Sequence, residues 1–290
     1  MAKAKIIKGR KVNRSFAGDL GLFIFLSIIG IYMALPLVFV INNAFKPLDE
    51  IFIFPPRIFV RNPTLSNFSE LFNLMSNSWV PFSRYIFNTV FITFVGTAGH
   101  VIIASMAAYP LAKKNFPGKK LLFSMVVLSL MFSPQVTAIP NYMIISKLKL
   151  IDTYWAIIIP AIGSTLGLYL MKQSMETFPD AILEAAQIDG ASEYRIFWSI
   201  VMPNMKPAWL TLIIFSFQSL WSSGSSGKNY IYSEQLKTLD YALSQVLAGG
   251  IARTGATAAV SLLMISVPII IFIITQSNVI ETMTTSGMKE

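Results

Sequence analysis

The sequence predicts an all-α polytopic membrane protein with six transmembrane helices. Three observations predict it. Hydrophobic residues make up 54% of the chain and charged residues only 13%, where a soluble chain carries about 25% charged residues. Six charge-free runs recur along the 290 residues. The basic residues fall mainly between these runs, which is the signature of loops that stay on one side of a membrane.

The elements follow in order. A span needs about 20 mostly apolar residues. Residues 20–41 form the first run, preceded by a basic tail with no signal-peptide cleavage pattern, and the run is too long for a signal-peptide core. It reads as a retained helix. Residues 85–112 form the second and hold the only histidine, His100. Residues 121–146 form the third, interrupted by Pro134 and Pro140. Residues 153–171 form the fourth, 208–223 a short fifth that borrows length from the segment before it, and 254–280 the sixth.

An even number of spans puts both termini on one side. The tail carries Lys3, Lys5, Lys8, Arg10, Lys11 and Arg14, and the loop after the second span carries Lys113, Lys114, Lys119 and Lys120. Short basic loops stay in the cytoplasm. The expected organisation is a cytoplasmic tail over 1–17 and a first helix with its outer segment over 18–83. A core over 84–280 follows, with five helices and a cytoplasmic loop at 173–207, and then a cytoplasmic tail over 281–290. The net charge of +9 is explained by topology, so no nucleic-acid partner is expected.

Several chemistries are missing. There is no cysteine, which excludes disulfides and thiolate metal sites. No run contains Asp, Glu, Lys or Arg, the groups that ion-coupled carriers keep within the membrane. His100 reads as an interhelical hydrogen-bond partner. SSGSSGKN at 222–229 has the wrong glycine spacing for a phosphate loop, and Asn229 replaces the Ser/Thr. It reads as a flexible loop. The chain is expected to be no enzyme, and any energy for transport must come from a partner. A stand-alone channel or carrier is the weaker alternative.

The stretch EAAQIDGASEYRIFWSIVMP at 184–203 is out of place between spans. Pro179, Asp180 and Glu184 suit a helix start, and Gly190 suits its stop. Ser192 can cap a second helix, with Tyr194, Phe197, Ile200 and Val201 as an apolar stripe. A helix resting on headgroups would be basic. This one presents Glu184, Asp189 and Glu193, so its exposed Ala185 and Ala186 suit a close-fitting protein partner.

At these residues the chain resembles the inner-membrane subunits of ATP-binding cassette importers. Their EAA loop is matched by Glu184, Ala185, Ala186, Asp189 and Gly190, followed by Pro203 and Pro207. The likeness extends over about residues 15–290, and is greatest to the maltose-type second permease of the carbohydrate branch, in its oligosaccharide and polysaccharide group. The resemblance implies the type I importer fold and a bacterial inner-membrane location. It implies a heterodimer with a second permease, two ATPase subunits that bind the ATP and Mg, and an external solute-binding protein. The chain itself needs no cofactor. A non-sugar solute is the alternative substrate. Sugars are held by aromatic faces and by amide or hydroxyl groups, so Gln135, Asn141, Gln218 and Trp221 are candidates to line the pathway.

Overall fold

The computed structural model describes residues 16–76, 80–222 and 229–286, and these are helical with no strand among them. The basic tail over 1–15, most of the loop expected at 222–229, and residues 287–290 lie outside the described residues.

Helix α1 (Phe16–Phe45) is apolar on all sides and exposed along its spanning length. Such a helix suits lipid or another subunit rather than a core of its own. Two short helices follow, α2 (Leu48–Ile51) and α3 (Ser66–Ser76). Asn67 of α3 closes the end of α1. Its amide donates to the carbonyls of Ala44 at 3.0 Å and Lys46 at 2.7 Å, groups that no intrahelical donor reaches.

Helix α4 (Phe82–Lys113) is the hub. It packs against α7 (Trp155–Ile162), α8 (Thr165–Glu176) and α12 (Lys206–Trp221). Small residues let these helices close up. A Cβ on Gly96 would lie 2.7 Å from Leu220, on Gly99 2.6 Å from Ile162, and on Gly167 2.2 Å from the His100 ring. His100 joins three helices. Its Nε2–H donates to the Ser164 carbonyl at 3.1 Å, at the break between α7 and α8, and Nδ1 accepts from the Ser216 hydroxyl at 2.5 Å. It fills the interhelical role expected of it.

The third crossing differs from a single continuous run. It is a pair, α5 (Lys119–Ser129) and α6 (Pro134–Lys147), bent by 113°. Pro134 supplies no N–H and holds Ser133 in extended geometry, where the Ser133 side chain caps the new helix at Gln135 N. The fifth crossing also bends. The sequence α9 (Asp180–Ile188), α10 (Glu193–Ile196), a π-helical turn at Phe197–Val201 and α11 (Met202–Asn204) leads into α12. The bend is 78° at Met205, between Pro203 and Pro207. Helix α13 (Leu239–Leu247) precedes α14 (Thr254–Ser286), which runs beyond residue 280. Four helical stretches, counting α7 with α8 as one, are long and apolar enough to cross a membrane, and the total is six where each bent pair is one span.

Two cores sit at opposite ends of α4. One joins Ala108 and Tyr109 to Met171, Met175, Leu183 and Phe197. The other joins Tyr85 to Leu71, Leu243 and Val260. At that second end Asn88 donates to the carbonyls of Gln235 and Lys237, each at 2.8 Å, and Tyr85 donates to Glu234 at 2.9 Å.

Candidate functional site

The site begins with a short helix that cannot stand alone. Helix α9 has nine residues, below the length at which isolated helices persist in water. Three devices fix it. The first is its end. Gly190 has φ +78°, a conformation in which a side chain is strained. The Gly190 N–H donates to Gln187 O and the Ala191 N–H to Ala186 O, both at 3.0 Å, which completes a Schellman closure.

The second device is its start. Pro179 is the capping residue and Asp180 the first helical one. The buried Lys113 of α4 donates to Asp180 Oδ1 at 2.7 Å and to Phe178 O at 2.5 Å. The third lies just beyond Gly190. Glu193 accepts from the Lys114 ammonium, from Tyr109 at 3.1 Å and from Gln187 at 3.3 Å. The Lys114 bond, first among these, holds the Glu193 carboxyl below its usual range. Ser192 caps α10 by accepting from Arg195 N at 3.4 Å.

The geometry corrects three residue assignments. Glu193 is satisfied within its own chain and is not a free charge for a partner. Ala186 is half-buried and packs on the core with Leu183. It is small because α9 lies close to its own subunit there. Tyr194 is 75% exposed, so it does not belong to the apolar stripe; the buried face is Ile196, Phe197 and Val201. Glu184, Ala185, Asp189 and Gly190 are exposed as expected. Glu184 and Asp189 form no ion pair among the described residues.

Two residues of this face escaped the sequence reading. Ile188 is 86% exposed and Ile182 half-exposed. They flank Ala185 at helical spacing, on the side of α9 away from the buried Leu183. A helical projection of 180–190 holds that signal. Lys113 and Lys114 were legible as basic loop residues, but not as the anchors of α9. Lys172 was missed altogether. It is buried at the end of α8, paired with Glu176 at 2.6 Å, with its ammonium 3.7 Å from the Phe123 ring centroid.

The pathway candidates lie on two helices, α6 and α12. Gln135 and Asn141 are exposed on α6 and Gln218 is exposed on α12. The Ser133 hydroxyl donates to the Gln135 side-chain carbonyl. Trp221 is buried, stacks on Phe217, and donates its indole N–H to Met264 O at 3.1 Å. Trp221 therefore holds α12 to α14.

A membrane bundle that presents a clamped, exposed helix invites comparison with known transport proteins. The sn-glycerol-3-phosphate transport system permease protein UgpE of Yersinia enterocolitica is 31% identical over 207 residues, covering 70% of this chain and 74% of that one. The arabinooligosaccharides transport system permease protein AraQ of Halalkalibacterium halodurans is 29% identical over 273 residues, covering 92% and 94%. Among solved structures, a chain of a bacterial ABC transporter involved in the import of the acidic polysaccharide alginate superposes with a TM-score of 0.77. It shares 19% identity and covers 91% of this chain and 98% of that one. At that identity the likeness speaks for the fold. The pattern of the binding-protein-dependent transport system inner membrane components matches residues 100–282, a span that includes α9 and all three of its anchors' acceptors. The chain belongs to that family and is a permease subunit of such a system.

Proposed function

We propose that this permease serves an ATP-driven importer of an oligosaccharide or polysaccharide, and that cytoplasmic ATPase subunits drive it through α9. Both termini and the α9 end face the cytoplasm in this reading, and the α6–α7 turn faces outward. A second permease completes the pathway as a heterodimer. A solute-binding protein delivers the saccharide, and the two ATPases bind the ATP and Mg. Gln135, Asn141 and Gln218 offer exposed amides to the pathway.

One observation carries the coupling part. Helix α9 is tied to α4 at its start through Lys113 and, beyond its end, through Glu193, which accepts from Tyr109 of α4 and Gln187 of α9, yet it keeps Ile182, Ala185 and Ile188 exposed. An effector shifts an equilibrium only through contacts that differ between states, and a helix so anchored delivers such contacts to the bundle. The arabinooligosaccharide relative supports the saccharide class, and the sn-glycerol-3-phosphate relative supports a small phosphorylated solute as the second reading. The test is ATP hydrolysis by the assembled transporter with its binding protein. Arabinotriose or a uronic-acid trisaccharide should stimulate it. Stimulation by sn-glycerol 3-phosphate alone would replace the saccharide reading with the phosphorylated one.

A further inference from the structure

The end of the bundle opposite α9 carries an aromatic group that coupling leaves unused. Tyr142 lies on α6, while Tyr230 and Tyr232 lie on the segment between α12 and α13. The Tyr142 and Tyr230 rings stack, with centroids 6.2 Å apart and planes 16° apart. The Tyr142 and Tyr232 hydroxyls are 3.3 Å apart. Tyr154, two residues after Asp152, donates to Asn88 near the start of α4 at 2.7 Å, which places the α6–α7 turn at that end.

A single carboxylate holds the arrangement. The Asp152 N–H donates to Tyr230 O at 2.8 Å. Its carboxylate accepts from the N–H groups of Tyr232 at 3.0 Å and Ser233 at 2.8 Å, and from the Ser233 hydroxyl. Asp152 and Lys149 have φ of +62° and +56°, the two positive values at non-glycine residues among those described. Both lie in the turn from α6 to α7. Backbone strain of this kind persists where the surroundings over-determine it, often at functional sites.

We propose that Tyr142, Tyr230 and Tyr232 form a saccharide-stacking platform at the mouth of the pathway, positioned by Asp152. The proposal rests on the saccharide reading above. A sugar ring presents C–H faces and hydroxyl edges, and a tyrosine presents an apolar face with a phenol that donates and accepts. Tyr142 is 38% and Tyr232 59% exposed, so both side chains reach solvent. Tyrosines that anchor a protein at the membrane interface place their amphipathic rings at the headgroup level. Here the hydroxyls turn toward each other, and the segment bearing two of the rings is clamped.

The experiment uses the complete transporter in vesicles with excess binding protein, and arabinotriose or a uronic-acid trisaccharide as the probe. The double variant Tyr142→Ala/Tyr232→Ala should lower uptake about tenfold, a loss equal to about 1.4 kcal/mol. Binding-protein-stimulated ATP hydrolysis should stay within about twofold of wild type, because sugar transfer and not docking has failed. Tyr142→Trp should keep uptake within about twofold, since the ring is retained. Unchanged uptake in the double variant overturns the platform. So does a parallel loss of stimulated hydrolysis, which would make these tyrosines a binding-protein contact, or loss of the second permease on purification, which would make them an assembly contact. If the wild type imports neither trisaccharide, the saccharide reading fails and the platform falls with it.

Discussion

Glu193 collects donors from α4 and α9 in one carboxylate, and so ties the loop after Gly190 to the bundle. Half of its side chain is exposed, so the pair with Lys114 contributes less than about 1 kcal/mol. Because its folded pKa is depressed, this contribution is present above the ordinary glutamate value. It is lost as pH falls through the lower folded value. Near neutral pH, Glu193→Gln should therefore speed amide exchange over residues 193–196, by at most about fivefold. Wild type and variant should converge in acid, where wild-type Glu193 is protonated. A difference that persists at acid pH would show that charge is not what holds the loop. The neighbouring Gly190 illustrates what a sequence makes legible. A glycine after a run of helix formers announces its own backbone geometry, because that geometry is local. Glu193 could not announce Lys114, because 79 residues separate them and only the fold brings them together.

Helix α9 has one face on its own subunit and one face free. Ile188→Asp should thus leave the permease folded while reducing co-purification of the ATPase about tenfold or more, as expected when a charge enters an apolar contact. Retention of the ATPase at wild-type levels would remove α9 as the docking element. Ala186→Asp tests the other face. Its charge would be forced against the core around Leu183, so it should lower permease yield as well as coupling. The two-faced character was readable from periodicity, whereas which face met the subunit was not, because both carry small or apolar residues. The α5–α6 bend shows the same limit. Pro134 marked an interruption, and the cap at Ser133 explains why a new helix starts there. Its angle of 113° is not given by the proline or the cap alone.

Across the whole molecule, the six apolar runs were legible because lipid demands length and hydropathy from each of them. The orientation reading is open to direct labelling, since the chain has no cysteine. Lys149→Cys should react with an impermeant thiol reagent in intact cells, and Ile188→Cys only after permeabilisation. The reverse pattern would invert the topology. Helix α4 gives these two ends a common mechanical fate. Its 32 residues make a rod about 48 Å long. The anchors of α9 sit at one tip, and the bonds of Asn88 and Tyr85 to residues 234–237 sit near the other. Between them His100 bonds the rod to Ser164 and to Ser216 of α12. A displacement imposed at α9 would therefore reach the far loop through a rod that carries its neighbouring helices with it.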